Sequence, residues 1–155
     1  MRRKDREITD FNEMLGIIKK CDSCVLALND EGFPYLVPMN FGMNVEDGQL
    51  YLYFHCAKEG RKLELIKKDN RVSFEMDCEH KLVLQEEEME CSMGYASVIG
   101  QGIIEVAEED KFEALKILMR QYRSEDFVFD TRMLNVTTVL KLKVLHMTGK
   151  RKRVK

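Results

Sequence analysis

The chain has 155 residues, 45% hydrophobic and 34% charged, with two prolines and nine glycines, a composition that supports one core-forming domain and excludes two separate enzymatic domains or a low-complexity chain. Its 25 basic and 27 acidic residues leave a net charge of −2, so no global field draws in nucleic acid or an anionic membrane. No apolar run approaches the roughly eighteen residues of a membrane span, and the charged start is not followed by a signal-type apolar stretch; the expectation is a cytoplasmic protein with no membrane partner.

In chain order, residues 10–20 place Phe11, Met14, Leu15, Ile17 and Ile18 at helical spacing behind Asp10, which with Glu13 has the form of a capping box. Residues 24–29 read as a strand ending in Asp30-Glu31-Gly32. Residues 33–41 continue in extended form to a turn near Glu46-Asp47-Gly48, and residues 50–56 make a third strand; the short turns predict an antiparallel meander. A helix is expected over 59–68, with Leu63, Leu65 and Ile66 inward. Two further strands follow at 71–77 and 81–85, then a solvated acidic turn at Glu86-Glu87-Glu88. Residues 95–107 read as strand, with Gly100 and Gly102 marking a bulge or a close approach. Residues 108–123 form a helix carrying Phe112, Leu115, Met119 and Tyr122 on one face, and 136–147 a last strand with Leu140, Leu142, Val144 and His146 on one face. The sum is mainly β with α additions, and long antiparallel strands favour a barrel because closure removes exposed edges. No repeat or linker divides the chain, which reads as a single domain over 1–155 ending in a basic tail at 149–155.

Cys21, Cys24, Cys56, Cys78 and Cys91 form an odd, irregular set and read as reduced thiols. The Cys21-x-x-Cys24 spacing has no second pair at zinc-site distance and precedes a strand, so no metal is expected. The tail Lys150-Arg151-Lys152-Arg153-Val154-Lys155 is a local charge run of the kind that usually ends a chain in solvent, and a nucleic-acid partner is not expected.

Two places could carry chemistry. From Tyr53 to Leu65 a strand ends in a turn that feeds a helix: Gly60 lets backbone approach an anion, the first N–H groups of the helix point outward, Arg61 offers a bidentate pair and Lys62 adds charge. An exposed basic first turn would read the same way, and the spacing is not that of a Walker A loop. In Val37-Pro38-Met39-Asn40-Phe41-Gly42 a proline confines the strand to an edge or bulge, beside which a flat heterocycle could bond the backbone; a plain edge strand is the commoner case. His55 is the candidate titrating near neutrality.

These residues resemble a known family. Pro34 to Gly42, then Leu50 to Ala57 with Gly60-Arg61-Lys62-Leu63, then Tyr95-Ala96-Ser97-Val98-Ile99 with Gly102, are similar in order and spacing to the nitroimidazole-resistance (Nim-type) branch of the pyridoxamine 5'-phosphate oxidase-like flavoproteins, over roughly residues 5 to 150. The resemblance implies an FMN-binding split β-barrel of antiparallel Greek-key type with peripheral helices, working as a homodimer with FMN at the subunit interface. It implies a phosphate turn at Gly60, Arg61 and Lys62, and a catalytic His55 near the flavin ring at the end of its strand. Pro38, Met39, Asn40 and Phe41 would line the isoalloxazine, with Phe54, Ala57, Ser97, Val98 and Lys150 as further cofactor contacts. The tryptophan that the family often places before Gly149-Lys150 is missing from this chain. The expected activity is an FMN-dependent oxidoreductase passing electrons to a nitroimidazole-type or other small electron acceptor. The alternatives are a pyridoxamine 5'-phosphate oxidase-like enzyme, which would want a second basic phosphate cluster not evident in the sequence, and a non-catalytic flavin-binding protein.

Overall fold

The structure, a computed structural model, describes residues 3–85, 89–107, 109, 111–123 and 130–154. After a 3₁₀ turn at Lys4–Arg6 come β1 (Glu7–Ile8), α1 (Phe11–Ile18), β2 (Cys24–Leu28), β3 (Tyr35–Met39), β4 (Gly42–Glu46), β5 (Gln49–Ala57) and α2 (Arg61–Lys68). They are followed by β6 (Arg71–Gln85), β7 (Glu90–Val106), α3 (Lys111–Tyr122), α4 (Thr131–Leu134) and β8 (Thr137–Lys152). The sheet order is β3-β2-β6-β7-β8-β5-β4, with β1 on β8. The mainly β composition with peripheral helices is as expected, but the hydrogen-bonded ladder does not close: β3 and β4 are its two ends. The acidic stretch Glu86-Glu87-Glu88 lies outside the described residues, as do Glu108 and Asp110 at the start of the expected third helix.

Contacts gather the chain into two compact units, one from residues 1–21, 75–99 and 147–155, the other from 22–74 and 100–146. In the first, the Asp10 carboxylate caps α1 by accepting the Glu13 N–H at 2.7 Å, and Met14, Ile17 and Ile18 are buried. β1 pairs with β8 in the register Glu7↔Lys150 and Ile8↔Gly149. This pairing draws the expected basic tail into the sheet as far as Lys152, because strand pairing satisfies backbone groups that a loose end would leave to water. Arg151 is accordingly 15% exposed, bonded to Glu13 at 2.6 Å and within 3.3 Å of Glu79. The two strands expected around residue 79 are one strand, β6, in which Glu79 takes a φ of 60° and pairs also with Lys20.

In the second unit, β2 and β3 pair antiparallel from Cys24↔Met39 to Leu28↔Tyr35, and β4 and β5 from Gly42↔Tyr53 to Glu46↔Gln49. The single extended run expected over 33–41 therefore breaks, and the three-strand meander with it: β3 joins β2, while β4 joins β5 at the other end of the sheet. Pro38 has no N–H to give a second neighbour, which suits β3 to an edge. Gly42 opens β4 because α3 lies against it there: a Cβ on Gly42 would sit 2.5 Å from Leu118 Cα. α3 buries Ala114, Leu115, Ile117 and Leu118. The face expected from spacing is rotated, and Phe112 and Tyr122 are 44% and 40% exposed. Gly100 and Gly102 mark close approach, with Phe74 and the Lys143 carbonyl occupying the space a side chain would need.

Candidate functional site

β5 is held between β4 and β8, with His55 opposite Val139 and Ala57 opposite Thr137. Strand alternation sends Leu52 and Phe54 into the core, while Tyr53 on the other face is buried in a cluster with Ala114, Leu115, Ile117 and Val139. Burial stops after Phe54, so His55 and Ala57 are exposed and Cys56 is half-buried. Three residues later Gly60, at φ 134° and ψ 163°, turns the chain into α2, a conformation open in practice to glycine alone. No atom outside its neighbours lies within 4 Å of where a Gly60 Cβ would sit, so the turn presents open space. The Leu63 and Glu64 N–H groups both return to the Gly60 carbonyl, at 3.0 and 3.3 Å. The N–H groups of Arg61 and Lys62 are the first of the helix and have no helical acceptor.

The two basic side chains of this turn diverge. Arg61 forms an ion pair with Asp30 and lies 5.0 Å from the Tyr35 ring centroid, and its hydrogen bond holds the Asp30 carboxyl below its ordinary range, helped by the Glu31 N–H. Lys62 turns toward β3, donating from Nζ to Met39 Sδ at 3.5 Å. A thioether is a weak acceptor, and among the described residues no carboxylate pairs with Lys62. Desolvation, with the charge of Lys62 added, pushes His55 below its ordinary value, so the imidazole is neutral at pH 7. The Cys56 thiol is pushed up by burial against a smaller opposing effect of Lys62, which keeps it protonated and unreactive.

The Pro38–Phe41 segment presents alternate groups: Pro38 and Asn40 are exposed, Met39 and Phe41 buried. At the break after β3 the Phe41 N–H donates to Tyr122 Oη at 2.9 Å. The Tyr122 hydroxyl donates in turn to the Asp22 carbonyl at 2.9 Å, which also accepts Asn40 Nδ2 at 3.3 Å. Sequence reading placed Tyr122 on an apolar helix face and so missed this contact; nothing local marks a partner 81 positions away. It missed Asp30 and Tyr35 as the partners of Arg61 for the same reason.

Ser97, Val98 and Lys150 belong to the first unit. Ser97 is half-buried on β7 and Val98 fully buried. Lys150 is half-buried on β8, its ammonium 5.5 Å from the Tyr95 ring centroid. The structure thus brings Met39, His55, Cys56 and Lys62 to one locality and Arg61 to a neighbouring one with Asp30 and Tyr35. The side chains of Phe41, Phe54 and Val98 face the core, which leaves their backbone as the part a ligand could touch. Among the described residues no group of three or more His, Cys, Asp or Glu is placed to hold a metal ion. What the second unit offers is an anion-receptive helix start, an ammonium with no carboxylate partner among the described residues, a neutral imidazole and a strand edge.

The family model for pyridoxamine 5'-phosphate oxidase matches residues 10–151. A solved structure from Bacteroides thetaiotaomicron, provisionally assigned to 5-nitroimidazole antibiotic resistance, is 36% identical over 94% of this chain and 86% of its own, with a TM-score of 0.80. Two more distant structures share the fold. A flavocytochrome from Azotobacter vinelandii is 16% identical, covering 99% of this chain and 72% of its own at a TM-score of 0.78. A FAD and heme binding protein from Mycobacterium smegmatis is 19% identical, covering 96% and 74% at 0.79. Among curated proteins none is significantly similar in sequence.

Proposed function

The chain belongs to the pyridoxamine 5'-phosphate oxidase family, with the antiparallel split-barrel type of fold, and on that premise we propose that it is an FMN-binding oxidoreductase that passes electrons to a nitroimidazole-type or similar small acceptor. The observation that carries the cofactor assignment is the turn into α2. Gly60 is in a glycine-only conformation with open space above it, two N–H groups lack helical acceptors, and Lys62 has no carboxylate partner among the described residues. That donor set suits a phosphate. Arg61 would join by exchanging Asp30 for the ligand, since its guanidinium is exposed and tied to that single carboxylate.

When bound, the flavin supplies the electron-transfer chemistry. The chain's own residues anchor and orient: the α2 turn binds the phosphate, the Pro38–Phe41 edge offers backbone groups to a flat ring, and neutral His55 can orient an acceptor or take a proton at a ring nitrogen. The Bacteroides thetaiotaomicron protein, through its assignment to 5-nitroimidazole resistance, supports the acceptor class.

The working form in this reading is a homodimer with the cofactor at the subunit interface. Five cysteines, none in a disulfide, suit the reducing cytoplasm.

The test is direct. Purified protein should carry bound flavin or quench the fluorescence of added FMN, and should prefer FMN to riboflavin; Arg61→Ala and Lys62→Met should narrow that preference, since each charged hydrogen bond is worth about 1.5–3 kcal/mol. A preparation that shows no flavin absorbance and no quenching of added FMN would end the reading. Sedimentation of the FMN complex as a monomer at full stoichiometry would remove the interface assignment alone.

A further inference from the structure

The break between β3 and β4 poses a hydrogen-bonding problem that the sheet cannot solve. β3 pairs with β2 and β4 with β5, so Phe41, lying between them and fully buried, has no strand to receive its N–H. A buried backbone donor needs a partner. Tyr122, the last residue of α3, supplies it: Oη accepts from Phe41 at 2.9 Å and donates to the Asp22 carbonyl at 2.9 Å. The same carbonyl takes Asn40 Nδ2 at 3.3 Å. A phenol can accept and donate at once, so one hydroxyl ties Phe41 directly, and Asn40 through Asp22. The middle of α3, one turn before Tyr122, is seated against β4 at Gly42, whose missing side chain admits the backbone of Ile117 and Leu118. Tyr122 is 40% exposed, and its hydroxyl is the group that reaches both Phe41 and Asp22.

We propose that Tyr122 is a positioning residue for the cofactor: through Phe41 and Asp22 it sets the direction in which the Pro38–Phe41 backbone is presented to the ring. This rests on the flavin reading above and deepens it, because it assigns ring orientation to a residue that the cofactor need not touch. It also separates two parts of the site. Ring placement depends on the Tyr122 corner, phosphate capture on the α2 turn.

The full-length protein and its Tyr122→Phe variant are titrated with FMN and with riboflavin, and the visible spectrum and midpoint potential of each complex are recorded beside a thermal melt. The variant is expected to bind both flavins about tenfold more weakly, on the order of one hydrogen bond. The FMN-to-riboflavin ratio should stay as in the parent, and the flavin absorption bands and potential should shift. A folded variant with parental affinity, spectrum and potential overturns the proposal while leaving flavin binding intact. A variant that loses FMN selectively over riboflavin also overturns it, because the effect would then lie at the phosphate. A parent that binds no flavin overturns both readings. If Tyr122→Phe does not fold, 3-fluorotyrosine placed at position 122 keeps the hydroxyl while weakening it as an acceptor; altered flavin affinity and absorption support the proposal, and unchanged values overturn it.

Discussion

His55 and Lys62 show how a residue's chemistry depends on what lies beside it. A histidine at a strand end is compatible with either charge state in sequence, but here desolvation and the nearby ammonium both disfavour the imidazolium. Lys62→Met should therefore raise the His55 pKa, read by NMR titration of the imidazole; no change would separate the two side chains. The pH dependence follows from the same shift. With the folded value below the ordinary 6.5, the unfolded chain binds more protons between the two, so the contribution of neutral His55 to stability is fully present above about pH 6.5 and declines as pH falls through that window. His55→Gln should flatten this part of the stability profile, measured by urea melts from pH 5 to 8. Gly60 offers a second residue-scale test. Its φ of 134° leaves no strain-free choice for another residue although space is available, so Gly60→Ala should cost about 1–3 kcal/mol through backbone strain alone. An unchanged urea midpoint would mean that the turn relaxes to another conformation.

At the scale of elements, the pairing of α3 with β4 is set by a glycine. A methyl group on Gly42 would press on backbone atoms of Ile117 and Leu118, which cannot swing aside as a side-chain tip would. Gly42→Ala is expected to destabilise the fold by about 1–3 kcal/mol or more as an overpacking change. A neutral result in denaturant titration would show that α3 can lift from the strand. This close approach also decides which face of residues 112–122 turns inward. Spacing alone allowed the stripe Phe112, Leu115, Met119 and Tyr122, but a helix seated tightly against a strand through a glycine buries the smaller Ala114 with Leu115, Ile117 and Leu118. The helix was legible in its period, its orientation was not, since orientation depends on the surface it meets. The β3–β4 break has the same origin: residues 35–46 are extended throughout apart from two positions, and only the identity of the neighbouring strands tells that there are two strands.

For the whole molecule, none of the five cysteines forms a disulfide, so a reductant should leave the thermal midpoint unchanged under conditions that keep the protein intact. A downward shift would reveal a cross-link. Cys21 and Cys78 are the pair to watch, because both thiols donate to the Ile17 carbonyl, at 3.3 and 3.8 Å, and burial pushes each above its ordinary range. Their protonated state keeps them unreactive. The two compact units draw on separated segments, and β6, β7 and β8 contribute residues to both, so neither unit could have been delimited by reading along the chain.

By itself the sequence determined what depends on near neighbours: the Asp10 cap, the alternation of the strands, the inward face of α2, and the glycine-led basic turn that follows His55. Local periodicity and backbone preference act over a few residues, and so they are written there. Tertiary structure alone decided that Arg61 turns to Asp30 while Lys62 turns to Met39, that the basic C-terminal residues through Lys152 join a strand, and that a tyrosine from α3 completes the Asn40–Phe41 corner. Each is a choice among partners far away in the chain, settled by which elements meet and which backbone groups the sheet leaves without a neighbour.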